Sequence, residues 1–264
     1  MPEMLTLGLE EPAHPRGDPG YQLDVGGVLS RTFSVTFSNL PSFLLVGLLV
    51  YSPALLLHGL GVIWPGQAVL LSLIANLLES LLALVLTGAL TFGIIRSLRG
   101  DKASVGEIAQ AGASSLGQVF VVSLMVGIMT VIGAMLCLVP GVIVACINWV
   151  AVPVAVMERP GIRASLDRSH ELTSGTRLSV FAVLLVVAMI HGVATVAAGG
   201  VAMALGTIEE GGNTGAAYSL TQMALTLFLL PFQCLQAAAP AVGYQDLRLH
   251  REGADVDDLV RVFE

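Results

Sequence analysis

Long unbroken apolar runs, rather than alternating polar and apolar positions, dominate the chain from residue 43 to residue 243. They cover residues 43–64, 68–95, 118–138, 142–157, 178–205 and 217–243. Breakers or charges separate them: Trp64-Pro65-Gly66, Arg96-Ser97-Leu98-Arg99, Pro140-Gly141 and Glu158-Arg159-Pro160-Gly161. The sixth run is interrupted by Pro231 and Pro240. A bilayer core of about 30 Å is crossed by roughly 20 helical residues. Lipid offers no partner to an open backbone, and the period-two pattern of a barrel strand is absent, so each run predicts a helix. The expected fold class is all-α: a polytopic membrane bundle of six transmembrane helices.

Short amphipathic segments lie between these runs. Asp24–Phe33, Ser104–Gly112 and Gly161–Leu172 each precede a pair of spans, and Asp255–Phe263 ends the pattern. Asp24, Ser104 and Asp255 stand at N-cap positions. In the third segment Ile162, Leu166, Ser169 and Thr173 share one helical face, Arg163 and Asp167 pair at i,i+4, and Gly175 is a helix stop. The expectation is three copies of an interfacial helix (24–37, 104–115, 161–173) followed by a helical hairpin. Against it stands the tendency of any loop beside a bilayer to be amphipathic.

Composition agrees with a lipid-solvated chain. Of 264 residues, 55% are hydrophobic and 12% charged, with a mean hydropathy of +0.84. Soluble domains carry about 25% charged residues. The net charge of −7 and a pI near 5.2 argue against nucleic acid as a partner. The twelve Lys and Arg residues all fall on one side of a six-span chain, and the opposite loops near 65–67, 139–141 and 206–216 hold none. By the positive-inside rule both termini are cytoplasmic. Residues 1–21 form an acidic, Pro-rich tail read as disordered, residues 22–258 the membrane domain, and residues 259–264 the end of the last amphipathic segment. Cys137, Cys146 and Cys234 sit in apolar runs and are expected to be buried apolar residues.

A set of cytoplasmic motifs carries a resemblance. Pro140-Gly141-Val-Ile is followed by Val152-Pro153-Val-Ala-Val-Met-Glu158, then Ala164-x-x-x-Arg168-Ser169-x-x-Leu172-x-x-Gly175. Tyr244-x-Asp246-Leu247-Arg248-x-x-x-Glu252-Gly253-x-Asp255 completes the order. Over residues 22–258 the chain resembles the YciC-like membrane proteins and is similar to the membrane domain of some glycerophosphoryl diester phosphodiesterases. The resemblance implies a membrane domain without catalysis of its own, because the chemistry of the phosphodiesterases belongs to a separate soluble domain.

Within the spans, Glu79 is the carboxylate that decides most, since intramembrane ionisable groups mark functional sites by default. Ser72, Asn76, Glu79, Ala83 and Thr87 form one small polar face at i, i+4, i+7, i+11 and i+15. His191 is near the middle of the fifth span, His58 toward the outer end of the first, and Gln222, Thr226 and Gln233 stripe the sixth. One reading pairs Glu79 with His191 around a polar cavity or proton relay; the other makes Glu79 packing glue, bonded to Asn or Gln side chains. On the cytoplasmic side Glu158, Arg168, Asp246, Arg248 and Glu252 form an ion-pair network, or Arg159, Arg163 and Arg168 face anionic headgroups. Ala188, Gly192, Ala198 and Ala202, with Gly199-Gly200, read as close helix contacts. The sequence holds no His-Glu-x-x-His, Gly-x-Ser-x-Gly or P-loop pattern and no metal-spaced cluster. The expectation is a non-enzymatic membrane scaffold without a cofactor. Its partners would be membrane lipids and a membrane or cytoplasmic protein. The alternative is a transporter or channel for a small solute or lipid.

Overall fold

The computed structural model describes residues 23–98, 104–204 and 214–252. Among them are nine α-helices and no strand: α1 (Val25–Ser38), α2 (Leu40–Ile63), α3 (Ala68–Leu98), α4 (Val105–Leu136), α5 (Leu138–Ile147), α6 (Ala151–Met157), α7 (Ile162–Thr173), α8 (Arg177–Ala204) and α9 (Thr214–Glu252). Six stretches are long and apolar enough to cross a bilayer: Leu40–Ile63, Pro65–Leu98, Gly117–Leu136, Leu138–Met157, Arg177–Met203 and Gly215–Arg251. The chain is an all-α polytopic membrane bundle. Residues 1–22, Gly253 and the expected last amphipathic segment 255–263 lie outside the described residues.

The core sits where α2, α3 and α9 pack on one another. Phe43, Val46 and Tyr51 of α2, Leu90 and Ile94 of α3, and Cys234 of α9 are buried there. α4 covers α3, α5 and α6 close over α4, and α8 leans mainly on α9. Leu49, Leu56, Leu77, Met135 and Val196 point outward and are exposed. An apolar exterior of this extent is what lipid, not water, makes favourable.

Turns follow local chemistry. Pro65–Gln67 form a 3-10 turn between α2 and α3. α4 ends at Cys137, whose extended backbone (φ −170°, ψ 151°) reverses the chain into α5. The expected break at Pro140-Gly141 therefore falls three residues earlier. Pro140 is tolerated in the first turn of α5, where N–H groups lack helical acceptors. Cys137 is exposed, against the expectation for all three cysteines; Cys146 and Cys234 are buried. α9 continues through Pro231 and Pro240 without interruption. Its 39 residues make it about 58 Å long, so its last part extends beyond a 30 Å hydrocarbon core.

The repeat expectation is half met. Residues 25–38 and 162–173 are separate helices, as expected. Residues 105–116 are helical but continue directly into the third span as one 32-residue helix. Ser104 caps it with a reciprocal capping box to Glu107, and no proline follows before Cys137 to end it. Asp24 occupies the N-cap position of α1 but makes no side-chain cap bond. The buried face of α7 is Ser165, Ser169, Leu172 and Thr173, while Ile162 is exposed, so the face is rotated from the one expected. Arg163 and Asp167 do approach, at 4.0 Å on an exposed face, a geometry that contributes little. Gly175, with φ 83°, ends the segment as expected.

One feature escaped the sequence pattern altogether. The fourth span is two helices, broken at residues 148–150. The Ala151 N–H turns to the Asn148 carbonyl, three residues back, and leaves the Ile147 carbonyl without its helical donor. The Ser169 hydroxyl of α7 (2.9 Å) donates to it instead, and the Thr173 hydroxyl, which donates to the Ser169 carbonyl at 2.8 Å, stands 3.2 Å from it as a second donor. Beside the break, the Trp149 ring packs against Gly243 of α9, where a Cβ would collide with it. The small-residue contacts expected on α8 are corrected in part. A Cβ at Gly192, Gly199 or Gly200 would meet open space, whereas Ala198 and Ala202 face the seam with α9.

Candidate intramembrane polar site

The three core helices carry polar residues at seven-residue intervals. These are Tyr51 and His58 on α2, Ser72 and Glu79 on α3, and Ser219, Thr226 and Gln233 on α9. A seven-residue interval returns each helix to nearly the same face about 10 Å further along. Three helices with matched intervals therefore stack their polar residues in layers.

The layer nearest the 65–67 turn joins Ser72 and Ser219, whose hydroxyls are 3.5 Å apart. The middle layer is built on Glu79. The Thr226 hydroxyl donates to Glu79 Oε1 at 2.8 Å, and His58 Nε2 lies 3.2 Å from the same oxygen. His58 Nδ1 sits 3.4 Å from the Ser72 hydroxyl and links the two layers. The set is self-consistent with the His58 proton on Nε2, which donates to Glu79 while Nδ1 accepts from Ser72. The His58 side chain is fully buried and that of Glu79 is 21% exposed. Gly61 makes the approach possible, because a Cβ there would overlap the Ser219 hydroxyl.

The expected partner of Glu79 is thereby corrected. It is His58, not His191, and it is not an amide: Asn76 lies outside the network, and Gln222 donates to the Tyr218 hydroxyl on its own helix (3.0 Å). Two helical positions of like depth do not fix which faces meet. The signal that finds His58 is the hairpin itself, since the tight turn at 65–67 brings residues before and after it to matching heights, 58 opposite 72 and within reach of 79.

His191 belongs to the third layer. With Tyr51, Ala83, Leu86, Thr87, Gln233, Gln236 and Ala237 it lines a cavity of about 310 Å³. The Tyr51 hydroxyl donates to Gln233 Oε1. His191 Nδ1 is buried without a hydrogen-bond partner. Of the residues expected to form a polar intramembrane site, the structure thus divides Glu79 and Thr226 from His191 and Gln233.

At the end of the bundle opposite the 65–67 turn, the motif residues form a clasp. Glu158 follows α6, accepts from the Tyr244 hydroxyl of α9 at 2.8 Å and pairs with Arg168 of α7 at 3.4 Å. Arg168 also reaches Glu171 at 2.9 Å. Asp246, almost buried, pairs with Arg31 of α1 at 2.5 Å, a partner outside the motif. Arg248 stands one turn beyond Tyr244 and interacts with it. Ser169 holds the Ile147 carbonyl, and the Arg251 guanidinium donates to the carbonyls of Leu172 and Ser174, closing α9 over the end of α7. Glu252 is the last residue of α9. The expected Glu158–Arg168 pairing is present, and Asp246 ties α1, not α7, to α9. At the start of α4, the Ser104 backbone N–H and hydroxyl, with Arg96 at 3.3 Å, hold the Glu107 carboxyl below the ordinary carboxylate range.

These features define a multi-pass helical membrane protein with a layered polar core and a polar clasp at one end. Among the described residues no three His, Cys, Asp or Glu side chains come together as a metal site. No family model, curated protein or solved structure matches the chain.

Proposed function

We propose that this chain is a membrane scaffold or membrane-organising bundle without catalysis of its own. The observation that carries this reading is the closure of Glu79. The carboxylate that would serve a conduction path is engaged by His58 and Thr226 and does not line the 310 Å³ cavity. A carboxyl satisfied in this way acts as a bond between α2, α3 and α9. The clasp supports the same reading, because it fastens α1 and α7 to the long helix α9. The motif residues Glu158, Arg168, Ser169 and Tyr244, on which the resemblance to the YciC-like membrane family rests, lie in this clasp. The placement we propose is a cytoplasmic membrane, bacterial or archaeal by the resemblance, with the clasp and both termini inside on the strength of the arginine asymmetry.

The test is Glu79→Gln, which keeps shape and one acceptor oxygen but cannot titrate. Complementation of a deletion strain under envelope stress should stay near wild type, with the protein inserted and stable in the membrane. An inserted, stable Glu79→Gln protein that fails to complement would replace the scaffold by a second reading, a transporter. That second reading is favoured by the polar cavity around Gln233 and His191.

A further inference from the structure

The cavity below Glu79 and an apolar cleft on α8 and α9 lie along one seam. The cleft, also about 310 Å³, is lined by Ala197, Ala198, Val201 and Ala202 of α8 and by Thr221, Ala224, Leu225 and Phe228 of α9. On α8, His191 and Ala198 are seven residues apart, on one face and separated by about 10 Å. On α9, Gln236 and Leu225 are eleven residues apart, again on one face and separated by about 16 Å. A polar chamber walled by α2, α3, α8 and α9 therefore stands, along α8 and α9, beyond one end of an apolar slot, and both lie inside the span.

The chemistry of the chamber narrows what fits. Its lining holds two amides, a hydroxyl pair and an imidazole, but no Asp, Glu, Lys or Arg. A charged group placed there would find no counter-ion in that lining, a costly arrangement in a low-dielectric interior. The chamber does hold unmet hydrogen-bonding capacity. His191 Nδ1 is buried and unpartnered, while Tyr51 spends its proton on Gln233 Oε1 and thereby turns the Gln233 amide N–H groups free for another acceptor. The slot above offers small side chains and one exposed aromatic ring, Phe228, the lining suited to an alkyl or prenyl chain.

We propose that the α8–α9 seam binds one neutral lipid, with an uncharged oxygen-bearing head (a hydroxyl or a quinone-type carbonyl) in the chamber and its hydrocarbon chain in the slot. The head is held by His191 and Gln233; the chain is held by Ala198, Ala224 and Phe228. This proposal does not rest on the scaffold reading, since a scaffold and a transporter could each hold such a lipid.

The experiment uses the full chain in nanodiscs and two photoactivatable probes carrying a diazirine in the chain. One is an octadecanol analogue and the other a quinone with a short prenyl tail. Labelling is mapped by peptide mass spectrometry. The expected result is saturable labelling of residues 197–202 or 221–228, competed by the unlabelled molecule. The double variant His191→Leu/Gln233→Leu should weaken it about tenfold, as the loss of one to two hydrogen bonds requires. Ala198→Phe, which fills the slot, should abolish it while the protein stays monodisperse; Ala224→Phe fills the slot from the other helix should Ala198→Phe not fold. Preference for one probe assigns the head as hydroxyl or carbonyl. Labelling that is unsaturable, that survives both slot-filling variants, or that is equalled by a trimethylammonium alkyl probe is ordinary lipid contact and overturns the proposal. Complementation by Glu79→Gln reads the scaffold proposal separately, because Glu79 lines neither the chamber nor the slot.

Discussion

Removing the two hydroxyls that serve the Ile147 carbonyl should cost more than the sum of removing each. In Ser169→Ala, the Thr173 hydroxyl, 3.2 Å away, turns from the Ser169 carbonyl to the Ile147 carbonyl; in Thr173→Val, Ser169 still donates at 2.9 Å. Each single change deletes one of two donors and should cost about 0.5 kcal/mol, near the average for a hydrogen bond between membrane helices. The double change leaves a carbonyl that has already lost its helical donor with no partner at all. An unsatisfied buried polar group costs about 1–3 kcal/mol, so the double variant should lose about 2 kcal/mol and show positive coupling of the two sites. The neighbouring Ser169 and Thr173 positions are both fully buried, which keeps water from replacing the lost donors. Reversible unfolding of the four proteins in the same detergent, read by steric trapping of a tag pair on α7 and α9, gives the four free energies of the cycle. Strict additivity, or a double variant as stable as wild type, would refute the assignment of these hydroxyls to the break.

Three further outcomes are expected. Gly243→Leu places a branched side chain where the Trp149 ring lies; overpacking of that kind costs about 1–3 kcal/mol, and thermal unfolding of the purified protein should report a clear loss, with Gly243→Ala intermediate. The Glu107 carboxyl is depressed in the folded chain, so its capping contribution is present above the ordinary carboxylate range and disappears as pH falls through its lowered value. A carboxyl-carbon NMR titration should find its midpoint below that of Glu107 in the Ser104→Ala variant, and equal midpoints would contradict the capping box. Cysteines introduced as Gly100→Cys and Asn213→Cys should label from opposite faces of the membrane, Gly100→Cys from inside; labelling of both from one side would remove the orientation.

The apolar runs located the spans because length and hydropathy are properties of single helices. The same holds for α1, α7, the Ser104 cap and the Gly175 stop, each of which depends on a few neighbouring residues. The Glu158–Arg168 pairing was also legible, since both lie in one short connection between spans. Three things were not legible. The break at 148–150 leaves no proline or glycine to mark it; it is held by side chains of α7, a tertiary contact. The merger of residues 105–116 with the third span turned on the absence of a stop signal, whereas the amphipathic pattern drew attention to a start. The misassigned partner of Glu79 shows the same limit: depth in the bilayer can be counted along each run, but the azimuth at which α8 packs cannot. The heptad spacing shared by Ser72 and Glu79 with Ser219, Thr226 and Gln233 was the available signal, because α2, α3 and α9 carry matched intervals.

The bonding of Glu79 also bears on the order in which a ribosome delivers this chain to the bilayer. Its histidine partner is 21 residues away, within the first hairpin, whereas Thr226 and the Ser219 that meets Ser72 are each 147 residues away across the chain. At synthesis rates of about 5–20 residues per second, roughly 7–30 seconds separate those events. During that interval α2 and α3 stand in lipid without α9. A carboxylate at position 79 with only Thr226 to meet would spend the whole wait exposed to hydrocarbon. Pairing with His58 lets the hairpin enter the membrane with its most polar side chain already bonded, so the last helix completes a bundle whose first two members did not need it to stay inserted.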